Sequence, residues 1–288
     1  MSNWLLAARP KTLSAAVVPV LMGSALAADE PTAVSWWVFV CALCGALLIQ
    51  IATNLINDAI DFKKGADTAE RLGPVRVTQA GLIAAEKVMT AAWICLIGAA
   101  AFGIPLLYRG GWPMLVIGLF SILAAYAYTG GPFPLAYKGL GEIFVLIFFG
   151  FVAVGGTFYA HSLQLTQSAL LAGFAAGSLA TVLIVINNLR DVDNDRRSNK
   201  RTLVVRFGER FARTEIVFFA LAPFLAVTAI AWVRDQWGFL VVLLALPLAL
   251  LVIVRAHRSR GAALNGALAM AGALQWLFGF LFVGGSLF

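Results

Sequence analysis

Residues 53–64 read TNLINDAIDFKK, and this stretch ends an apolar run that begins at Trp36. The run is long enough to cross about 30 Å of hydrocarbon as a helix. Similar runs recur along the 288 residues, of which 61% are hydrophobic and only 12% are charged. Because about a quarter of the residues in a soluble domain are usually charged, the composition predicts a helical membrane protein with several spans.

Nine transmembrane helices are predicted from these runs, all within one integral membrane domain that covers residues 1–288. Tryptophans at several span starts are typical of an interfacial aromatic belt. The fold class is therefore all-α, with a bundle of helices in the membrane. The predicted spans are 12–28, 36–57, 88–107, 112–128, 140–160, 167–189, 214–233, 237–254 and 262–286.

Basic residues are distributed very unevenly between the two sides of these spans. With nine spans, one side holds 19 of the 21 basic residues, and the other side holds only Arg109 and Arg234. The positive-inside rule then predicts that the N-terminus and the two long loops are cytoplasmic and that the C-terminus lies outside. This bias and anionic membrane lipid account for most of the net charge of +7, so no nucleic acid partner is predicted.

A second stretch echoes the first. Residues 186–197 read INNLRDVDNDRR, and Asn187 and Asp191 lie 133 residues after the matching Asn54 and Asp58. Each stretch joins a helix end to a long loop with basic residues. We interpret the echo as two related helical halves that face one another across a central cavity.

The spacing of the acidic and amide residues predicts that each stretch presents one polar stripe. Residues three, four or seven positions apart share one face of a helix. Acidic side chains are costly at membrane depth, so they usually face the protein interior or water and mark a functional site. The predicted stripes are Asn54, Asp58 and Asp61 on the second span, and Asn187, Asp191 and Asp195 on the sixth.

Two aspartate clusters beside many basic residues suit a diphosphate that is bridged by Mg²⁺. Hard cations prefer carboxylate oxygens together with substrate phosphate oxygens, and Arg or Lys bind the outer phosphate oxygens. In the alternative interpretation, these are polar residues at helix ends, with the aspartates paired to neighbouring arginines. Asp193 lies on the opposite face from Asp191 and is predicted to be a solvated loop charge.

The connection between the fourth and fifth spans, residues 126–142, is the third notable segment. Two glycines and two prolines predict a non-helical turn there. Tyr128 and Lys138 are predicted to lie on the same side as the aspartates. A tight loop with interfacial tyrosines is the alternative interpretation.

In the two acidic stretches and in the loop between the fourth and fifth spans, the sequence resembles the UbiA superfamily of intramembrane aromatic prenyltransferases. The superfamily resemblance implies nine helices, with Asp-rich motifs on the second and sixth. Four stretches are most similar to the members that prenylate 1,4-dihydroxy-2-naphthoate in menaquinone biosynthesis. The first motif departs from the usual pattern, because Asp67 follows Asp61 by six residues rather than four. The four stretches are 9–12, 73–79, 128–142 and 200–203.

The resemblance implies a reaction and its partners. A Mg²⁺-dependent enzyme would transfer the chain of a polyprenyl diphosphate to 1,4-dihydroxy-2-naphthoate, which loses CO₂ to give demethylmenaquinone. The implied location is the bacterial cytoplasmic (inner) membrane, with the active site toward the cytoplasm. The sequence predicts no oligomeric state.

The resemblance also implies roles for individual residues. The catalytic aspartates are Asp58, Asp61, Asp191 and Asp195, and the metal-binding set adds Asn54, Asp67 and Asn187. Diphosphate-binding candidates are Lys63, Lys64, Arg76, Arg190, Lys200 and Arg201. Arg9, Lys11, Tyr128 and Lys138 are candidates for the naphthoate carboxylate or for the diphosphate, and these two roles remain open.

Two alternative functions follow from the same residues. One is another enzyme of this superfamily, which would prenylate 4-hydroxybenzoate or transfer a phytyl chain. The other is a cation-coupled transporter, since paired acidic helices occur in both classes. The aspartates lie at predicted span ends beside basic loops, whereas transporters place such acids near the midplane.

Overall fold

The computed structural model describes residues 2–28, 30, 34–65, 72–73 and 75–288, and this part of the chain consists of helices and connecting loops, with no strand. The first half contains α1 (Asn3–Ala8), α2 (Ser14–Ala27), α3 (Trp36–Lys63), α4 (Ala85–Gly110) and α5 (Trp112–Ala127). The second half contains α6 (Gly141–Leu146), α7 (Gly156–Ser162), α8 (Gln167–Arg190), α9 (Val192–Arg197), α10 (Leu203–Phe207), α11 (Glu209–Arg234), α12 (Leu246–Arg258) and α13 (Leu264–Gly285).

Several α-helices are joined end to end by short segments of 3₁₀ or π helix. A π-helical segment, Ile147–Gly155, connects α6 to α7, and a 3₁₀ segment, Trp237–Ala245, leads into α12. Short 3₁₀ turns also occur at Pro10–Thr12, Leu135–Lys138 and Gly261–Ala263. The π-helical segment lies where the chain packs closely on α8.

Seven helical segments within the described residues are long and apolar enough to cross a membrane. The first predicted span is represented by α1 and α2, two helices that bend by 49° and together pass the same test. The fourth is α5, a shorter apolar helix of 16 residues. The count of nine spans and the orientation of the termini stay predictions. The seven segments are Trp36–Lys63, Ala85–Gly110, Gly141–Ser162, Gln167–Arg190, Leu203–Arg234, Trp237–Arg258 and Gly261–Gly285.

The ends of the two motif helices differ from the predicted ends. The predicted span 36–57 is too short, because α3 continues to Lys63 and carries Asp58 and Asp61 in its last turns. The predicted stripe on the sixth span is interrupted, because α8 ends at Arg190 and Asp195 belongs to the short helix α9. The helical spacing nevertheless persists: the backbone N–H of Asp191 donates to the carbonyl oxygen of Asn187 at 3.1 Å, and that of Asp195 to Asp191 at 2.9 Å.

The main core is built from α2, α8, α11, α12 and α13, and its buried residues are mostly alanine, valine and phenylalanine. A second core joins α3 and α4. Small residues allow backbones to approach closely, as is typical of membrane helices. At Gly150, for example, an added Cβ would lie 2.4 Å from the carbonyl oxygen of Gly173 on α8. These two cores hold the ends of α3 and α8 on opposite sides of an internal cavity.

Candidate active site

A large cavity of about 1400 Å³ runs through the bundle between α3, α5, α6, α8 and α13. Small and aromatic residues line most of its length, including Gly45, Gly118, Phe148 and Trp276. Polar and charged residues gather where α3 and α8 end. The residues at this polar end include Arg9, Lys11, Asn54, Asn57, Asp61, Arg76, Tyr128, Tyr137, Asn187, Asn188, Lys200 and Asn265.

The two aspartates at the end of α3 have different partners. Asp58 is 1% exposed, and its two carboxylate oxygens accept hydrogen bonds from the backbone N–H groups of Val77 (3.1 Å) and Thr78 (3.0 Å). Asp61 lines the cavity and accepts from Arg76 Nη2 at 3.2 Å. Asp58 therefore fixes the turn that follows the first motif, whereas Asp61 faces the cavity.

The end of α8 is organised around a buried arginine. Arg190 forms a bidentate pair with Asp191, with Nε–Oδ1 and Nη2–Oδ2 distances of 2.8 and 2.6 Å. Its remaining donors bind Asn187 Oδ1 at 2.6 Å and Asn265 Oδ1 at 2.8 Å. Asn265 in turn donates to the carbonyl oxygen of Leu72 at 2.9 Å. The planar guanidinium group of Arg190 therefore holds Asp191 and Asn187 in place next to the cavity.

Asp195 is the most buried acid of the second motif, at 4% exposure. Lys200 Nζ lies 3.5 Å from its Oδ1, and its Oδ2 is buried and accepts no hydrogen bond from the residues that the structure describes. Burial raises the pKa of Asp195 to about 6; Lys200 lowers it, and the Asp191 and Asp61 carboxylates raise it. A buried carboxylate oxygen without a partner favours a further cation at this position.

Tyr137 connects the two motifs, and the sequence analysis did not predict a role for it. Its hydroxyl donates to Asp61 Oδ1 at 2.8 Å. The Lys64 and Lys200 ammonium groups lie 4.4 and 6.0 Å from the centre of its ring. Because Lys64 follows the first motif and Lys200 follows the second, one aromatic ring contacts both ends of the site. Its place in the Gly- and Pro-rich loop is the only sequence signal that points to it.

Tyr128 also faces acids from both halves of the molecule. Burial raises the pKa of Tyr128 above its ordinary value, and the carboxylates of Glu142, Asp61 and Asp195 raise it further. The phenol is therefore neutral and available as a hydrogen-bond donor at the polar end of the cavity. Asp61 from α3 and Asn187 from α8 line the same cavity as Tyr128.

Two amide residues of the first motif complete this side of the cavity. Asn54 Nδ2 donates to the carbonyl oxygen of Ala8 at 3.0 Å and to Thr12 Oγ1 at 2.9 Å. Asn57 Oδ1 accepts from the Thr129 hydroxyl, which ties the motif to the loop after α5. Asn57 was missed by the sequence analysis, although it adjoins Asp58. The amide and carboxylate oxygens at this end of the cavity are the kind of oxygen ligands that bind a hard metal ion.

This oxygen-rich chemistry fits Mg²⁺, which binds carboxylate and amide oxygens and usually keeps ligand positions for substrate phosphates. Asp195 Oδ2 is the observation that supports the fit, because it is buried and no described residue donates a hydrogen bond to it. Within the described ranges, no three acidic, histidine or cysteine side chains converge closely enough to form a complete metal site.

The remaining predicted site residues fall into two groups. Arg9, Lys11 and Tyr128 line the cavity, and Arg9 Nη2 lies 4.0 Å from Asp58 Oδ2. Four basic candidates are exposed and do not line the cavity: Lys63, Lys64, Lys138 and Arg201. Asp67 lies outside the described residues.

The comparisons with known proteins agree with this geometry. The model of the UbiA prenyltransferase family matches residues 16–272. The chain is 38% identical over 260 residues to 1,4-dihydroxy-2-naphthoate octaprenyltransferase from Escherichia coli (strain K12), covering 85% of this chain and 82% of the relative. It is 38% identical over 290 residues to the enzyme of the same name from Mycobacterium tuberculosis (strain ATCC 25618 / H37Rv), covering 96% and 97%.

The fold is also found among solved structures. A UbiA homolog from Archaeoglobus fulgidus, bound to DMAPP and Mg²⁺, superposes with a TM-score of 0.70 at 15% identity. The match covers 98% of this chain and 99% of that one. At this level of identity, the likeness shows a shared fold.

Proposed function

The chain belongs to the UbiA prenyltransferase family, and from this premise we propose that it transfers a polyprenyl chain from a polyprenyl diphosphate to 1,4-dihydroxy-2-naphthoate. The ring loses its carboxylate as CO₂, and the product is demethylmenaquinone, formed as its quinol. The names of the two curated relatives, which align over most of this chain, support this choice of acceptor.

One observation carries the proposal. A single cavity joins a polar end, lined by Asp61, Arg76 and Lys200, to a long apolar body lined by small and aromatic residues. A polyprenyl diphosphate has the same two parts, a charged head and a long hydrocarbon tail. The integral membrane location also suits a substrate and a product that are soluble in lipid.

The acidic ends of α3 and α8 are the proposed binding site for Mg²⁺ and the diphosphate head. Asp58, Asp61, Asp191 and Asp195 would hold the metal, with Asn54 and Asn187 as neighbouring oxygen donors. When it is bound, Mg²⁺ neutralises phosphate charge and makes the diphosphate a better leaving group. Asp67 remains a weaker candidate for the same role.

Basic residues at the polar end are proposed to complete the diphosphate site. Arg9, Lys11, Arg76 and Lys200 line the cavity, so their charges act on an anion that is bound there. Lys64 lies beside Tyr137 and donates to the carbonyl oxygen of Thr129 at 2.7 Å, which places it at the edge of this group. Arg190 is occupied by Asp191, Asn187 and Asn265, so its proposed contribution is to position these residues.

The apolar body serves the carbocation that forms when the diphosphate leaves with the electrons of the C–O bond. Water would quench this cation, and the apolar lining excludes water. The faces of Phe144, Phe148 and Trp276 supply electron-rich surfaces along the cavity. The ring carbon that bears the carboxylate attacks the cation, and the electrons of the bond to CO₂ then restore the aromatic ring.

We place the active site on the cytoplasmic side of a bacterial inner membrane and assign the chain to one domain, residues 1–288. The uneven distribution of basic residues supports the orientation. Both motifs lie at the ends of α3 and α8 that this distribution assigns to the cytoplasm, and the cavity is shared by both halves of the chain.

A mass-spectrometric product assay tests the function. The purified protein is given Mg²⁺, prenyl diphosphates of several lengths or phytyl diphosphate, and either 1,4-dihydroxy-2-naphthoate or 4-hydroxybenzoate. We expect polyprenylated, decarboxylated naphthoate, and its loss in excess EDTA with recovery when Mg²⁺ is restored. Exclusive prenylation of 4-hydroxybenzoate, or exclusive use of the phytyl donor, would assign the chain to the corresponding alternative enzyme.

A further inference from the structure

A buried carboxylate and a buried amide form a pair in the cavity wall that the mechanism above does not use. Glu142, in the first turn of α6, and Asn188, near the end of α8, are each 4% exposed. Asn188 Nδ2 donates to Glu142 Oε1 at 2.8 Å. Asn188 lines the cavity, and Glu142 lies behind it. The pair therefore connects the first turn of α6 to the end of α8.

The carboxylate determines which atom of Asn188 faces the cavity. A carboxylate oxygen accepts hydrogen bonds, so the amide turns its NH₂ group toward Glu142. The carbonyl oxygen of the side chain then lies on the other side, toward the cavity that Asn188 lines. The cavity wall thus presents an oriented hydrogen-bond acceptor in the same cavity as the donors Arg9, Arg76 and Lys200.

The substrates of the proposed reaction differ in what they offer to such an acceptor. The diphosphate carries only acceptor oxygens, so the Asn188 oxygen does not bind it, and the prenyl tail is a hydrocarbon. The aromatic acceptor carries two hydroxyl groups, which donate hydrogen bonds. We infer that Asn188, oriented by Glu142, accepts a hydrogen bond from a hydroxyl of the aromatic acceptor. This inference rests on the proposed function.

The surroundings of the pair agree with this role. Tyr128 lines the same part of the cavity, and its hydroxyl lies 3.2 Å from the position that a Cβ on Gly141 would occupy. A neutral tyrosine donor beside an amide acceptor matches a ring that carries both a carboxylate and hydroxyls. A hydrogen bond from the hydroxyl to Asn188 also increases electron density in the ring, which favours its attack on a carbocation.

The main test is steady-state kinetics of Asn188→Leu, which keeps the size of the side chain and removes the acceptor. We expect KM for 1,4-dihydroxy-2-naphthoate to rise about tenfold, the effect of one lost hydrogen bond to a substrate. KM for the prenyl diphosphate and the Mg²⁺ dependence should stay unchanged. Glu142→Gln, whose amide also allows the reversed orientation of Asn188, should raise the same KM by a smaller factor.

A methyl ether of the aromatic acceptor tests whether Asn188 recognises the hydroxyl group or only supports the fold. Wild-type protein should discriminate against an acceptor in which the recognised hydroxyl is methylated, and Asn188→Leu should lose this discrimination. Gln275→Leu is the matched control, because Gln275 is a fully buried amide that accepts from Ser14 at 2.8 Å and does not line the cavity. Its KM for the naphthoate should stay at the wild-type value.

The outcomes distinguish this inference from the proposed function. If wild-type protein does not prenylate the naphthoate, the proposed function fails. If it does, but Asn188→Leu raises KM for the prenyl diphosphate or changes the Mg²⁺ dependence instead, Asn188 belongs to the diphosphate site and the inference is overturned. Equal discrimination against the methyl ether by wild type and Asn188→Leu would also overturn it, including when the variant has low stability.

Discussion

The two acidic motifs have nearly the same spacing in the sequence but are held in different ways. At the end of α3, Asp58 is bound by backbone N–H groups of the following loop, and Asp61 faces the cavity. At the end of α8, Asp191 is bound by the adjacent Arg190, and Asp195 is buried on a separate short helix. The first motif anchors a loop, whereas the second is anchored by its own arginine.

This difference shows that the matching aspartates are not equivalent. Asp61 and Asp195 are the members with the strongest physical reason to bind a cation, because Asp61 lines the cavity and one buried oxygen of Asp195 accepts no hydrogen bond from the residues that the structure describes. Asp58 and Asp191 do not line the cavity, and both of their carboxylate oxygens are engaged by the protein. Both oxygens of Asp61 also accept hydrogen bonds, from Tyr137 and Arg76, so its place in the cavity lining is what distinguishes it from Asp58. We therefore expect Asp61 and Asp195 to be the ligand-directed acids of the two motifs.

The largest expected effect comes from neutralising the two ligand-directed acids. Asp61→Asn and Asp195→Asn should each lower the rate of product formation at least about 1000-fold, because each removes a charge that we propose binds Mg²⁺ and the diphosphate. Product formation is measured by mass spectrometry, and thermal unfolding verifies that each variant is folded. A rate above a tenth of wild type for either variant would show that this motif does not take part in catalysis.

The anchoring role of the first motif has a separate readout. Asp58→Ala removes the acceptor for the N–H groups of Val77 and Thr78, so the hydrogen exchange of these amides should become about 100-fold faster. Asp191→Ala is the control, since its carboxylate is bound by Arg190 and not by this turn. Unchanged exchange in Asp58→Ala would mean that the turn is held by other contacts. Both variants should also lose turnover.

A pH effect should distinguish the second motif from the first. The pKa of Asp195 is raised to about 6, so the acid is neutral at pH 5 and charged at pH 7.5. Because a metal ligand must be deprotonated, binding of Mg²⁺ should weaken about tenfold for each pH unit below 6. Mg²⁺ should therefore raise the melting temperature more at pH 7.5 than at pH 5. If Asp195→Asn keeps the same pH difference, another group is responsible.

The smallest effects are expected for basic residues that neighbour the site only in sequence. Lys63 is exposed after the first motif, and Lys138 is exposed with its ammonium group 5.4 Å from the Phe133 ring centre. Since neither lines the cavity, Lys63→Ala and Lys138→Ala should change kcat/KM less than about twofold, as solvent screens their charges. Arg76→Ala is the comparison, because Arg76 is buried beside Asp61. A large loss in either lysine variant would place its side chain in the site.

The helices could be located from the sequence because bilayer thickness fixes the length of an apolar run. Their ends were less certain. The second span was predicted to end at residue 57, although the predicted stripe placed Asp58 and Asp61 on the same helix, and α3 continues to Lys63. The predicted end of the sixth span at residue 189 agrees with the end of α8 at Arg190, but the predicted stripe assigned Asp195 to that helix, whereas it lies on α9.

The aspartate stripes followed from local spacing, but the partners of each aspartate did not. Tyr137 lies 76 residues from Asp61, and only the fold brings the two together. Lys63 and Lys138 were predicted from their position beside motifs, which gives no information on the direction of a flexible side chain. The contact between Glu142 and Asn188 could not be predicted from local spacing either, because the two residues lie on different helices.

The central claim is that α3 and α8 bind one and the same diphosphate. A structure of the protein with Mg²⁺ and a non-reactive prenyl diphosphate analogue tests it most directly. We predict one diphosphate at the polar end of the cavity, linked through metal to Asp61 on one side and to Asp195 on the other, with the tail along the apolar body. A diphosphate bound by only one motif, or outside this cavity, would contradict the account.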